Sequence, residues 1–233
     1  MKRAMFMGLA LALGACGGEQ DGSHAGHADH SAHAGRAAHA EHAGHGGHEG
    51  HAGHGVLIEA ASPTLDGASL YHLDPDLSLR DQQGEAFALE GLRGRPVLVT
   101  FFYGGCTTMC PLIVADVHRI MNALPEDARA ETRVVLVTID PERDTPERLR
   151  ELAAERAMPE SWHLVGGDEG SIRSLASTLG MTYRRMPDGS YAHAALYTVL
   201  DREGRIAHQL ENTGQPVDDT VGALVRARGP GPS

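Results

Sequence analysis

Residues 95–103 read Arg-Pro-Val-Leu-Val-Thr-Phe-Phe-Tyr, a continuous apolar run. Runs of this kind are typical of a central strand that is buried on both faces of a sheet. Residues 133–139, Arg-Val-Val-Leu-Val-Thr-Ile, predict a second buried strand. Between the two runs, apolar side chains recur at helical spacing from Pro111 to Leu124. The centre of the chain therefore predicts a strand, a helix and a strand in succession.

The rest of the chain continues this alternation. Further helices are predicted over Thr145–Ala157, Ser171–Leu179 and Val217–Arg226. Thr145 is the expected N-cap of the first of these, and Gly180 is expected to end the second. Short strands are predicted at residues 77–80, 162–165, 183–186, 191–193, 195–200 and 205–210. This order predicts an α/β sandwich with a central mixed sheet flanked by helices.

Length and composition exclude several classes of protein. The chain has 233 residues, a formal net charge of −11 and three cysteines. One folded domain is expected at this length, and the acidic balance argues against nucleic acid as a partner, which would need a basic surface. Three cysteines are too few for a disulfide scaffold. No apolar run of about 18 residues follows the N-terminus, so no later helix is expected to span a membrane.

The N-terminus is typical of a secretion signal. Lys2 and Arg3 precede a short apolar segment, Ala4–Leu13, and the segment is followed by Gly-Ala-Cys16. The small residues before Cys16 resemble a bacterial lipobox, in which the cysteine becomes the lipidated first residue. The alternative is an ordinary secretory signal. We predict a signal peptide at residues 1–15 and a protein held to the membrane by a lipid anchor, in the bacterial cell envelope on the periplasmic or extracytoplasmic side.

Residues 16–55 are rich in His, Gly and Ala, and the folded domain is expected at residues 56–233. After Cys16 the stretch has no aromatic side chain and no aliphatic one larger than alanine, so it predicts a disordered tether. Imidazole binds Cu(II), Zn and Ni, so the tether is also expected to capture metal ions, the alternative being a plain spacer. Its ten histidines are His24, His27, His30, His33, His39, His42, His45, His48, His51 and His54.

Two thiols lie between the first buried strand and the helix that follows it. Cys106-Thr-Thr-Met-Cys110 is followed by Pro111, which suits the first position of a helix and places Cys110 near the N-cap. A helix N-terminus stabilises anions, so the pKa of Cys110 is expected to be lowered. Two thiolates in one loop can form a redox-active disulfide or bind a soft cation such as Cu(I). A purely structural disulfide is the alternative.

Three motifs in order resemble the SCO/SenC family, copper chaperones of cytochrome c oxidase assembly. They are Phe101–Pro111, with its Cys-x-x-x-Cys-Pro, then Val137–Pro146, which reads Val-Thr-Ile-Asp-Pro-Glu-Arg-Asp-Thr-Pro, and Tyr191–Asp201, which begins Tyr-Ala-His. The resemblance covers about residues 68–228. It implies a thioredoxin-like fold with an inserted hairpin. It also implies a copper site made of Cys106, Cys110 and His193.

The position of His193 supports its assignment as a ligand. It precedes the apolar strand 195–200, so it lies at a strand end where a side chain could face the cysteine loop. A thioredoxin-type oxidoreductase is expected to carry a proline just before the corresponding strand, and here that position holds His193-Ala194. We expect His118 to be solvated. Three other histidines show no partner at ligand spacing and are expected to be ordinary surface or core residues, namely His72, His163 and His208.

Other residues near the motifs have simpler interpretations. Asp140 and Asp144 are expected to cap a loop and pair with an arginine, with a second metal site or a docking site as the alternative. Met109 could be a thioether ligand, but a packing role is favoured. The pair Gly104-Gly105 departs from the family pattern and is expected to loosen the cysteine loop.

The residues support one main function and two alternatives. In the first, an envelope lipoprotein binds copper through Cys106, Cys110 and His193 and delivers it to the CuA site of cytochrome c oxidase subunit II, a partner that the resemblance implies. In the second, a thiol-disulfide reductase uses the two cysteines to keep the CuA-site cysteines reduced. In the third, a metal-sequestration lipoprotein acts through its tether.

Overall fold

The structure is a computed structural model that describes residues 61, 63, 67–72 and 77–229. The predicted signal peptide, the lipidated Cys16 and the ten clustered histidines lie outside these residues, so they stay predictions. Among the residues described, no helix is both long and apolar enough to cross a membrane.

The central sheet is mixed, as predicted. Its strands are β1 Leu79–Arg80, β2 Val97–Phe102, β3 Arg133–Thr138, β4 Trp162–Gly167, β7 Leu196–Leu200 and β8 Ile206–Glu211. A separate hairpin pairs β5, Tyr183–Arg185, with β6, Tyr191–His193. The six main strands lie in the order β1-β4-β3-β2-β7-β8. Strands β2, β3 and β4 run parallel, whereas β1, β7 and β8 run antiparallel to their neighbours.

Helices surround this sheet in the described part of the chain. They are α1 Met109–Ala123, α2 Glu126–Glu131, α3 Pro146–Glu155, α4 Glu169–Thr178 and α5 Asp218–Ala227. The α3 start is confirmed, because the Thr145 side chain accepts the N–H of Arg148 at 3.3 Å. Gly180 follows α4 with a φ of +78°, the left-handed conformation that commonly ends a helix. The short helix α2 was not predicted from the sequence.

Strand β2 is the centre of the core. All six of its side chains are buried. Val99 lies opposite Val135 of β3 on one side and opposite Thr198 of β7 on the other. The polar Thr100 is satisfied within the sheet, because its hydroxyl donates to the carbonyl of Leu196 at 2.9 Å. A fully buried strand paired on both edges fixes where its carboxyl end lies, and the cysteine loop begins there.

A buried carboxylate joins α1 to the sheet. Asp116 accepts the hydroxyl of Tyr197 at 2.9 Å and the backbone N–H of Gly214 at 2.8 Å. It also forms an ion pair with Arg119 at 2.9 Å. These contacts connect α1, β7 and the segment before α5. A buried carboxylate with this many donors orders three parts of the chain at once.

Replacing Asp116 by alanine is expected to lower the free energy of unfolding by about 2–4 kcal/mol, because the Tyr197 hydroxyl and the Gly214 N–H lose their acceptor. Chemical denaturation followed by circular dichroism measures the change. Asn122→Ala, at an exposed position of the same helix, is the control and should change stability by less than about 0.5 kcal/mol. Equal stability of Asp116→Ala and the unsubstituted protein would contradict this role.

Candidate metal centre

The two cysteines meet where β2 passes into α1. The N–H of Cys110 donates to the Sγ of Cys106 at 3.3 Å, and the N–H of Tyr103 donates to the Sγ of Cys110 at 3.4 Å. Both thiols are free, with 6% of Cys106 and none of Cys110 exposed. The predicted pair is therefore assembled in one loop and held by backbone donors.

Helix α1 begins earlier than the sequence predicted. Thr108 is its N-cap and Met109 its first residue, so Cys110 lies inside the first turn and Pro111 at the third position. Proline is tolerated there because the N–H groups of the first turn have no partner within the helix. The prediction that Pro111 is the first helical residue is wrong by two positions.

The N-terminus of α1 lowers the pKa of Cys106, whereas the sequence predicted a lowered pKa for Cys110. Burial raises the pKa of Cys106, but hydrogen bonds from the N–H groups of Cys110, Thr108 and Met109 outweigh it and lower that pKa. Burial raises the pKa of Cys110 to about 12, and the bond from the Tyr103 N–H opposes this only in part. The predicted lowering at Cys110 is wrong because the free N–H groups of a helix point backwards, towards the residue that precedes it.

The glycine pair does not loosen the loop. The Gly104 N–H donates to Asp144 at 2.8 Å. A Cβ added at Gly104 would overlap the Asp144 carboxylate and lie 2.6 Å from Cδ1 of Leu152 on α3. At Gly105 the nearest atoms would be those of the Tyr103 ring, at 3.7 Å. Gly104 is thus needed for close contact with α3, and the loop is fixed at this point.

Two aspartates of the second motif, Val137–Pro146, form hydrogen bonds and an ion pair around the cysteine loop. Asp144 is buried and accepts the Thr138 hydroxyl as well as the Gly104 N–H. Asp140 is fully buried and pairs with Arg143 at 2.5 Å, and the Tyr191 hydroxyl donates to it at 3.3 Å. Burial raises the pKa of Asp144, although the bond from Thr138 opposes this. These contacts agree with the interpretation of loop capping and an arginine pair.

His193 ends β6 with one ring nitrogen engaged. Its Nδ1 lies 2.9 Å from the carbonyl oxygen of Ala194. A carbonyl can only accept, so Nδ1 carries the hydrogen, and in the neutral ring Nε2 keeps a free lone pair. Burial lowers the pKa of His193, which favours that neutral form. The imidazole therefore has the protonation state of a metal ligand.

A model of the SCO1/SenC family matches residues 66–226. The chain belongs to the SCO1/SenC family. A protein of Stutzerimonas stutzeri that is named for copper binding is 37% identical over 137 residues, which are 57% of this chain and 66% of the relative. The chain thus spans just under two thirds of that relative's length.

Solved structures of Sco proteins share the fold. The copper-bound structure of Bradyrhizobium japonicum ScoI is 25% identical, with a TM-score of 0.56, over 65% of this chain and 96% of that one. BsSco, described as a member of the Sco family of cytochrome c oxidase assembly proteins, is 23% identical, with a TM-score of 0.56, over 65% and 91% of the two chains. The predicted thioredoxin-like fold is confirmed.

Tyr103 is the residue of this SCO1/SenC domain that sequence reasoning missed. Its ring lies edge-on to the His193 imidazole, with 6.0 Å between centroids, and its N–H binds Cys110. Burial, together with Cys106 and Cys110, raises the pKa of its hydroxyl, although the N–H of Tyr191 lowers it. Tyr103 thus contacts both the thiol pair and the histidine. An aromatic residue at the end of a buried strand, three positions before a cysteine, was the signal available.

The described residues contain no group of three or more His, Cys, Asp or Glu side chains placed to hold a metal ion together. The structure brings Cys106 and Cys110 together directly, and it relates His193 to them through Tyr103. The ligand set inferred from the resemblance therefore stays a prediction.

The remaining candidates of the SCO1/SenC domain lie elsewhere. His118 is half-buried against Trp162, with ring centroids 4.6 Å apart, so the expectation of a solvated residue is wrong. Met109 is 40% exposed, which contradicts its predicted packing role; it lies on the outer face of the first turn of α1. The other three histidines have ordinary surroundings: His72 is exposed, His163 lies against Phe87, and His208 contacts Thr220.

Gly104→Ala is expected to destabilise the domain by about 1–3 kcal/mol, because the new methyl group overlaps Asp144 and Leu152. Thermal unfolding monitored by circular dichroism measures the effect. Gly105→Ala is the matched control, and it should shift the midpoint much less. If both variants unfold together, Gly104 is not a close-contact position.

The two thiols are expected to react at different pH. Because the pKa of Cys106 is lowered and that of Cys110 is raised to about 12, iodoacetamide should label Cys106 in the reduced protein from pH 7 to 9 while Cys110 stays unlabelled. Peptide mass spectrometry identifies the labelled residue. Labelling in denaturant, where the folded environment is lost, is the control and should modify both. Preferential labelling of Cys110 in the folded protein would contradict this assignment.

Proposed function

We propose that this protein is a copper chaperone that binds copper through Cys106, Cys110 and His193. The observation that supports it most strongly is the paired thiols, in which Cys106 accepts the Cys110 N–H at 3.3 Å and both are free. Thiolates are suitable ligands for Cu(I), and a neutral imidazole suits both oxidation states of copper. The free Nε2 of His193 and its contact with Tyr103 support its role as the third ligand.

The proposed acceptor is the CuA site of cytochrome c oxidase subunit II. The resemblance to the SCO/SenC motifs implies this partner, and BsSco is described as an oxidase assembly protein. Transfer by ligand exchange requires a site that holds copper without enclosing it. Cys106 is 6% exposed and Cys110 is fully buried, so an incoming ligand would approach from the Cys106 side.

We also propose the organisation that the sequence predicts outside the described residues. A signal peptide at residues 1–15 would be removed, Cys16 lipidated, and residues 16–55 would tether the domain, residues 56–233, to the envelope membrane. The histidines of the tether would raise the local copper concentration near the thiol pair.

A thiol-disulfide reductase is the second candidate, and one observation favours it. The more exposed Cys106 has a lowered pKa, whereas the buried Cys110 has a raised one. That asymmetry suits an attacking thiolate and a resolving thiol in disulfide exchange. His193 would be dispensable for that reaction, so its substitution separates the two functions.

The reduced full-length protein is expected to hold one Cu(I) against a strong competing chelator, and His193→Ala should weaken that affinity at least about tenfold. His72→Ala, at an exposed position, is the control. Chelator competition followed by absorbance measures both, and glutathione exchange of the Cys106–Cys110 pair is measured in parallel. Unchanged copper affinity in His193→Ala, or no tight site in the unsubstituted protein, would reject the chaperone and leave the reductase.

A further inference from the structure

Arg156 of α3 contacts the cysteine loop. It is the C-cap of α3, four residues after Leu152, the side chain that contacts Gly104. Its Nη2 donates to the carbonyl oxygen of Cys106 at 3.3 Å. Two successive turns of α3 therefore contact the loop. Leu152 packs against Gly104, and the Arg156 guanidinium binds the carbonyl of Cys106.

This guanidinium has no ion-pair partner in the described part of the chain; the pKa of Glu155 is lowered mainly by its bond to Arg148 and only in part by the charge of Arg156. Nη1 of Arg156 is buried without a hydrogen-bond partner, and no carboxylate among the described residues forms an ion pair with it. Other arginines on the same helix are paired: Arg148 lies 3.0 Å from Glu151 and 2.8 Å from Glu155. Arg156 is half-buried, and leaving its buried Nη1 atom without a hydrogen-bond partner costs free energy. An unsatisfied guanidinium atom beside a reactive loop is available to a negative charge that forms there.

The proposed copper-loaded state supplies that charge. When Cu(I) binds two neutral thiols, two S–H bonds break, two Cu–S bonds form and two protons leave to solvent. The imidazole of His193 adds no charge. Counted from the fully protonated pair, the loop changes from neutral to a net charge of −1, which is the sum of one Cu(I) and two thiolates.

We infer that Arg156 is the counter-charge of the copper-loaded cysteine loop, a positioning residue that holds the Cys106 carbonyl and stabilises the copper–dithiolate anion. The inference rests on the function proposed above. Arginine suits this role because it stays charged when partly buried, which lysine does less reliably. Burial dominates at Cys110 and raises its pKa, but the charge of Arg156 acts in the opposite direction. The guanidinium is therefore already within electrostatic reach of the second thiol.

Substitutions can separate the charge from the hydrogen bond. Arg156→Gln keeps an N–H donor for the Cys106 carbonyl but removes the charge, whereas Arg156→Lys keeps the charge. Arg148→Gln removes a paired, exposed arginine from the same helix and is the matched control. Each full-length variant is prepared reduced and metal-free. Cu(I) affinity is measured by chelator competition, and thermal unfolding is measured without copper.

Arg156→Gln is expected to bind Cu(I) about 10- to 100-fold more weakly than the unsubstituted protein, while Arg156→Lys and Arg148→Gln stay within about threefold. The unfolding midpoint of metal-free Arg156→Gln should be unchanged or higher, because a half-buried charge without an ion-pair partner has been removed.

Three outcomes would overturn the inference. The first is equal copper affinity in Arg156→Gln and the unsubstituted protein, and the second is an equal loss in Arg156→Lys. The third is a lower unfolding midpoint in metal-free Arg156→Gln, which would assign Arg156 a merely structural role. If the unsubstituted protein itself holds no Cu(I) at its thiols, the proposed function fails first and this inference fails with it.

Discussion

The complete burial of β2 is the constraint on which the rest of the structure depends. Its six side chains are all buried, and it pairs with β3 along its whole length and with β7 from Val97 to Thr100, so its register in the sheet is fixed. The chain leaves it at Phe102 and must enter α1 by Met109. Both thiols fall within or just after that short connection. Their separation and their backbone donors thus follow from how far apart the sheet and α1 lie.

The loop is then fixed from two sides. On one side, the buried Asp144 binds the Gly104 N–H, and Leu152 leaves no room for a larger residue there. On the other, the first turn of α1 directs its N–H groups at Cys106. Two chemically identical side chains four residues apart therefore have opposite acid–base behaviour. The cause is geometric, because Cys106 precedes the helix and receives its donors, while Cys110 is inside the helix and enclosed by the core.

Local sequence pattern was enough to predict β2 and β3 from their apolar runs, the α3 N-cap from its residue type, and the α/β order, because these depend on neighbouring residues and burial. It failed where the answer depends on a tertiary neighbour. The role of Gly104 is set by Leu152 and Asp144, which are distant in sequence. His118 is covered by Trp162 from another element. Proline is also tolerated at the third helical position, so Pro111 did not define the start of α1. The unpaired state of Arg156 was not visible in a chain rich in nearby glutamates.

The hairpin that carries His193 belongs to a sheet of its own, separate from the one that fixes the thiols. Contacts with side chains join it to the cysteine and aspartate loops, among them the Tyr103 ring against His193, the Tyr191 N–H bound to the Tyr103 hydroxyl, the Tyr191–Asp140 bond, the Arg185–Glu142 ion pair and the bond from Arg143 to the Gly189 carbonyl. Small units held this way open at lower free-energy cost than the core they rest on. The rate of hydrogen exchange at the hairpin amides therefore depends on the opening of the hairpin itself and not on the opening of β2. The imidazole and the sulfur atoms thus belong to two separately hydrogen-bonded sheets of the protein.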